Sequence, residues 1–170
     1  MNHIVLIHPA IPQNTGNIMR TCVATNTCLH IIKPMSFDLD DKKMKRAGLD
    51  YIDDLQLYVY DDYASFTKQN KGNFYFFTRY SKTCFSDQDF TSNQQQDVYL
   101  FFGHEHDGIP KAILQDNLDR CLRIPTSGNV RSLNVSNSVA IGIYEVLRQQ
   151  EYPLLSKTEV QKGEDFLYEI

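Results

Sequence analysis

Six short apolar runs constrain this chain most: His3–His8 (HIVLIH), Leu29–Lys33 (LHIIK), Leu55–Tyr60 (LQLYVY), Phe74–Thr78 (FYFFT), Val98–Phe102 (VYLFF) and Cys121–Ile124 (CLRI). Each is short and bounded by Pro, Gly or polar turn residues, the mark of a strand rather than a long helix. Leu55–Tyr60 alternates along its length; the others are compact enough to be buried. Helical segments lie between them. Pro12 opens one, with Asn14 or Thr15 placed to cap it, Ile18, Cys22 and Val23 as its inner stripe, and Arg20 on its open face. Asp40–Arg46 runs from acid to base, complementing a helix dipole. Tyr63–Gln69 is a short helix, and Ile109-Pro110 starts another through Ala112, Ile113 and Leu114. Strand and helix in alternation predict an α/β fold in a single domain, a mostly parallel sheet flanked by helices.

The last helix follows the stretch Ile124–Ala140 (IPTSGNVRSLNVSNSVA). A strand end at Ile124-Pro125 gives way to a loop with Gly128 and Asn129, then to Arg131-Ser132-Leu133-Asn134. Asn134 or Ser136 can cap the helix, which runs to Gln149 on a stripe of Val135, Val139, Ile143 and Val146. Small polar side chains are thereby held at a helix N-terminus, where free N–H groups face outward. A capped surface loop before a core helix has the same composition. In parallel sheets, ligands bind beyond the carboxyl ends of the strands. Gly103 and the loop after Ile124 both occupy such positions and form a candidate pocket.

A chain of 170 residues with 42% hydrophobic content suits one domain with a full core. Residues 1–153 are read as that domain and 154–170 as an acidic tail, with Ser86–Gln96 a polar loop. No apolar run is long enough to span a membrane, and MNHIVLIHP lacks the positive region and cleavage site of a signal peptide. Cys22, Cys28, Cys84 and Cys121 are scattered and form no CxxC, which argues for idle thiols in a reducing compartment, the cytoplasm. The net charge is −4, and two basic and five acidic residues fall in the last twenty, so the excess is mostly in the tail. Lys42, Lys43, Lys45 and Arg46 form the densest positive cluster and, with Arg131, are candidate phosphate contacts; a solvated helix face has the same look.

Several chemistries are disfavoured. GxGxxG does not follow the first strand, and neither GxxxxGK[ST] nor GxSxG occurs. His104, Glu105 and His106 are adjacent on a loop, so they point in alternating directions, and no PCxxC follows. No metal site is expected. Three stretches in register point elsewhere: PQNTGNIMR at Pro12–Arg20, FGHEHDGIP at Phe102–Pro110, and Ile124-Pro125 with RSLNVS at Arg131–Ser136.

These stretches resemble the three motifs of the SPOUT methyltransferases, in the branch that methylates RNA ribose 2′-hydroxyls. Within that branch the chain is similar to the stand-alone enzymes that modify the wobble cytidine or uridine of tRNA. Asp40-Asp41-Lys42-Lys43, Arg46–Tyr51 and Tyr144-Glu145 add to the likeness, which covers about residues 1 to 153. The resemblance implies a C-terminal trefoil knot, a cytoplasmic homodimer, S-adenosylmethionine as cofactor and no metal. It implies cofactor contacts at Phe77 or Thr78, Gly103, Ile124, Ser132 and Leu133. It implies functional polar residues at Asn14, Arg20, Glu105, Ser132 and Asn134. In that scheme Arg20 steadies charge at the target ribose, Ser132 and Asn134 orient ribose and cofactor, and Glu105 holds an arginine. Gly103 is expected to let the ligand approach its backbone. The chain departs from the family at the Gly103 loop, where G-P-E-x-R-G becomes GHEHDG: His104 replaces proline and Asp107 arginine. The resemblance leaves ribosomal RNA as another substrate, and a non-catalytic RNA-binding module as the rival of a different class.

Overall fold

The computed structural model describes residues 1–39, 54–91 and 95–168. Six parallel strands form one sheet: β1 (Asn2–Ile7), β2 (Cys28–Ile32), β3 (Leu57–Tyr60), β4 (Asn73–Phe77), β5 (Val98–Phe102) and β6 (Cys121–Leu122). Their order is β3-β2-β1-β5-β4-β6. β1, β2 and β5 are buried along their whole length. That is why these segments read as continuous apolar runs: helices cover both faces. α1 (Pro12–Ala24) and α4 (Val135–Gln149) cover one face. Ile18, Met19, Cys22, Val139, Ile143 and Val146 pack there against Ile4, Leu6, Ile31, Leu100 and Phe102. α2 (Tyr63–Gln69) and α3 (Lys111–Gln115) cover the other. Phe66 and Leu114 meet Val5, Ile7, Phe76 and Phe101 there. Each fully buried side chain of this kind contributes roughly 1.5–3 kcal/mol.

Four expectations shift. α1 is not capped by Asn14 or Thr15. It begins at Pro12, with Ile11 in the cap position and no side-chain cap bond. Proline suits the first helical position because its missing N–H would have no partner there. Met19 is buried on its inner face, and Val23 is only half-buried. β3 starts at Leu57 rather than Leu55, and Tyr58 and Val59 are exposed on this edge strand. β6 stops at Leu122 because the next residue changes partner: Arg123 N–H donates to Thr83 C=O at 2.9 Å, and Phe85 N–H to Arg123 C=O at 3.0 Å. The polar loop 86–96 also carries a buried Phe90, its ring 5.0 Å from that of Tyr75 and its N–H bonded to Gln149 Oε1 at 2.9 Å.

The chain runs outward from β1 through β2 to β3, then returns to build β4, β5 and β6 on the far side. The reversal falls between β1 and β5, and a crevice opens at the carboxyl ends of strands at such a point. The segments leaving β1 (residues 8–11) and β5 (residues 103–109) flank it.

Candidate active site

Three turns converge at this crevice. The first follows β5. Gly103 to Gly108 folds back on itself, with Gly108 N–H donating to His104 C=O at 2.8 Å. His104 Nδ1 accepts from His106 N–H at 3.1 Å. Gly108 takes φ of +74°, which glycine adopts without strain. Gly103 is glycine for a different reason. A Cβ there would lie 2.1 Å from the Gly108 carbonyl carbon and 2.2 Å from Ile109 N. The expected close approach is therefore first to the protein's own backbone, and only beyond that to a ligand.

The second turn precedes α1. It lacks a local cap, and Glu105 supplies one from across the crevice. Its Oε2 accepts from Ala10 N–H at 2.9 Å, and its Oε1 accepts from Ile11 N–H at 3.0 Å and from Asn14 Nδ2 at 3.2 Å. A carboxylate at a helix N-terminus is favoured by both the free N–H groups and the helix dipole. Glu105, expected to hold an arginine, holds this loop.

The third turn leads into α4, which Asn134 caps. Its Oδ1 accepts from Ser136 N–H at 2.9 Å and Asn137 N–H at 3.4 Å. Its Nδ2 donates to Asn14 Oδ1 at 3.0 Å. Glu105, Asn14 and Asn134 thus form one hydrogen-bonded chain joining all three turns, and Asn14 at its centre is buried.

The cleft beside this hydrogen-bonded chain is formed by the turns after β4, β5 and β6 and is lined by Phe77, Thr78, Gly103, Ile124, Ser132 and Leu133, the whole expected cofactor set. Glu105 and Arg131 line it too. Arg131 reaches over the rim, its Nη2 donating to the His106 carbonyl. Phe77 and Phe102 stack with centroids 4.7 Å apart, and Gly142 of α4 brings the helix against both rings. Ile124, Ser132 and Leu133 make no backbone hydrogen bond within the chain among the described residues, so their N–H and C=O groups are available to a ligand. Sequence reasoning missed Arg79, Tyr80 and Thr126, which also line the cleft. The first two directly follow the Phe77-Thr78 pair, and Thr126 lies in the Ile124 loop, so adjacency was the available signal.

Arg20 is exposed on α1 and does not line the cleft of its own chain. Lys42, Lys43, Lys45 and Arg46 fall outside the described residues.

This parallel sheet, with a cleft formed by the turns after β4, β5 and β6, is that of a methyltransferase of the SpoU type. Residues 1–144 match the SpoU rRNA Methylase family, and the chain belongs to it. It is 50% identical over 155 residues to a Geobacillus stearothermophilus protein assigned as a tRNA (cytidine(34)-2′-O)-methyltransferase, covering 91% of this chain and 98% of that one. A crystal structure of an assigned RNA methyltransferase from Bacillus anthracis superposes with a TM-score of 0.87 at 46% identity, over 94% of this chain and 100% of that one. A structure concerned with 2′-OH methylation of C/U34 on tRNA superposes with a TM-score of 0.83 at 37% identity, over 89% of this chain and 97% of that one.

Proposed function

We propose that this protein transfers a methyl group from S-adenosylmethionine to the ribose 2′-hydroxyl of the wobble nucleotide in a tRNA anticodon loop. One observation carries the reading: all six residues expected around the cofactor line a single cleft. The Glu105–Asn14–Asn134 chain braces that cleft from behind. The identity of half the residues to a tRNA (cytidine(34)-2′-O)-methyltransferase supports the choice of substrate.

SpoU methyltransferases use S-adenosylmethionine, and the donor set here suits that molecule. Phe77, Phe102 and Leu133 offer apolar walls to an adenine, the open backbone groups of Ile124 and Leu133 its polar edge, and Thr78 and Ser132 hydroxyls for a ribose. When bound, the cofactor supplies an electrophilic methyl group on a cationic sulfonium. The chain's part is alignment and electrostatics. Asn14 and Glu105 position the turns, while Ser132 and Asn134 orient ribose and cofactor. A guanidinium holds its protons too tightly to be a good base, so Arg20 instead steadies negative charge at the 2′-oxygen or an adjacent phosphate. Arg20 lies outside its own chain's cleft, and a cytoplasmic homodimer would bring the residue in from a second copy. Lys42, Lys43, Lys45, Arg46 and Arg131 hold RNA phosphates, and the C-terminal part is tied as a trefoil knot. Methyl transfer from a sulfonium requires no metal.

The test is incorporation of tritiated methyl groups into total tRNA against ribosomal RNA, with nucleoside mass spectrometry to locate the product. Label in tRNA at the wobble 2′-oxygen is expected. Label in ribosomal RNA alone would favour the second reading, which the family's description as rRNA methylases suggests. Arg20→Ala should reduce transfer on the order of a hundredfold or more while calorimetry shows S-adenosylmethionine binding nearly intact. Equal loss of both would make Arg20 structural.

A further inference from the structure

A second recess of about 750 Å³ lies behind the Gly103–Gly108 turn. Ile109 and Leu114, both buried, give it an apolar base. Tyr80 and Leu118 stand at its edge, each 70% exposed, an unusual position for two large apolar side chains so close together. Arg79 fixes the tyrosine: its guanidinium carbon lies 4.7 Å from the ring centroid, and its Nη2 donates to the phenol oxygen at 2.8 Å. Lys111 adds a second cation at the margin, and His8 and His104 supply two imidazoles. Burial and the neighbouring His104 push the His8 pKa down, so at neutral pH it is an uncharged ring with one donor and one acceptor.

A flat apolar seat, an exposed aromatic ring, a neutral hydrogen-bonding ring and cations at the margin match an unstacked nucleobase on an anionic backbone. The recess is continuous with the cofactor cleft, because Tyr80, His104, Asp107 and Ile109 line both. A nucleotide seated here would be a neighbour of one whose ribose enters the cleft. We propose that this recess is a nucleobase subsite, holding a base adjacent to the target nucleotide of the RNA loop, stacked on Tyr80 and seated against Leu118. This rests on the function proposed above and adds to it a specificity contact. His104 and Asp107, the two departures from the family's loop, border this subsite, so they bear on which neighbouring base is accepted.

The experiment uses the full-chain protein and an anticodon stem-loop RNA in which each loop base beside the target is made abasic in turn. Tyr80→Ala and Leu118→Ser should raise the KM for the intact RNA on the order of tenfold, with kcat little changed in Leu118→Ser, since Leu118 lies outside the cofactor cleft. Leu118 lines only the recess, so S-adenosylmethionine affinity by calorimetry should be unaltered in Leu118→Ser. One abasic position should weaken the wild type by a similar factor and add little further loss in Tyr80→Ala. Wild-type KM in both variants, or an abasic effect that persists undiminished in Tyr80→Ala, overturns the subsite alone. Absence of tRNA methylation by the wild type overturns the function it rests on, and the subsite with it.

Discussion

Glu105→Gln separates a clamp from a chemical participant. In the wild type the carboxylate accepts three hydrogen bonds, from Ala10 N–H, Ile11 N–H and Asn14 Nδ2. Glutamine keeps one oxygen. The better orientation leaves that oxygen where Oε1 serves Ile11 and Asn14, and turns the new amino group toward Ala10 N–H, donor against donor. One charge-assisted bond is lost and two become neutral. Net contributions are about 1.5–3 kcal/mol for bonds to a charged group and about 0.5–1.5 kcal/mol for neutral ones. Because Glu105 is only half-buried, the lower end applies, and we expect a loss of about 2–3 kcal/mol. For a domain of this size that lowers Tm by roughly 4–12 °C. Urea unfolding at pH 7 should show the midpoint fall with the slope unchanged. S-adenosylmethionine affinity should fall in parallel, since the cleft's turn is released from α1. Combining Glu105→Gln with Asn14→Ala should give less than the sum of the single losses, because the two residues share a bond. Wild-type unfolding and wild-type cofactor affinity together with lost turnover would refute the clamp and return Glu105 to the chemistry.

Two further expectations concern the glycines of the same turn and the opposite face of the sheet. Gly103→Ala must displace backbone at Gly108 and Ile109, so calorimetry should show cofactor binding greatly weakened; Gly108→Ala meets no atom within 4 Å and costs only its left-handed conformation, about 1–2 kcal/mol in urea unfolding. Full cofactor affinity in Gly103→Ala would mean that the turn adapts without cost. On the other face, His30 is buried between His3, 2.9 Å from its Nε2, and the Tyr60 hydroxyl, 3.1 Å from its Nδ1, with the rings of Tyr58, Phe66 and Tyr99 around it. Burial pulls its pKa down from 6.5 to about 3, with His3 opposing a second charge. The unfolded chain therefore binds the proton first, and stability falls as pH drops below 6.5, by up to about 1.4 kcal/mol per pH unit. His3 is also lowered by burial, and the nearby Asp97 partly offsets this. Urea unfolding between pH 7 and pH 5 should show a loss of about 1.5 kcal/mol or more, and a flat profile there would contradict a neutral pair.

What the sequence made legible was what neighbours along the chain decide. The limits of α2 were readable at Tyr63 and Gln69, and the Asn134 cap of α4 was one of two candidates, because capping and helical stripes act within a turn or two. The buried strands were readable because a parallel strand covered on both faces leaves no polar alternation to confuse the pattern. The misreadings arose where the decisive partner is remote. α1 looks uncapped locally, so Asn14 and Thr15 were assigned to cap it, while its acceptor sits 94 residues away on Glu105. β6 reads to Ile124 in the sequence, but Arg123 is claimed by Thr83 and Phe85. Arg20 is the extreme case: its place on the open face of α1 was readable, whereas its position outside the cleft of its own chain was not.

The same distinction explains why topology pointed to the Gly103 and Ile124 turns without showing what holds them in place. Sheet register can fix each turn only as far as its strand end; beyond Ile7, Phe102 and Leu122 the backbone has no ladder to follow. Something else must hold three irregular turns in one arrangement. Here it is a carboxylate and two amides, with Asn14 donating to Glu105 and accepting from Asn134. An amide is suited to that middle position because it offers a donor and an acceptor on one rigid plane. Aspartate at position 14 would have no N–H for Glu105 and would place two carboxylates together; leucine would leave Glu105 and Asn134 each short of a partner. Three of the residues the motif marks as functional, Asn14, Glu105 and Asn134, are therefore required by the architecture of the cleft even before substrate enters. Loss of activity on mutating them cannot by itself assign a chemical role, and only measurements that separate cofactor affinity from turnover can do so.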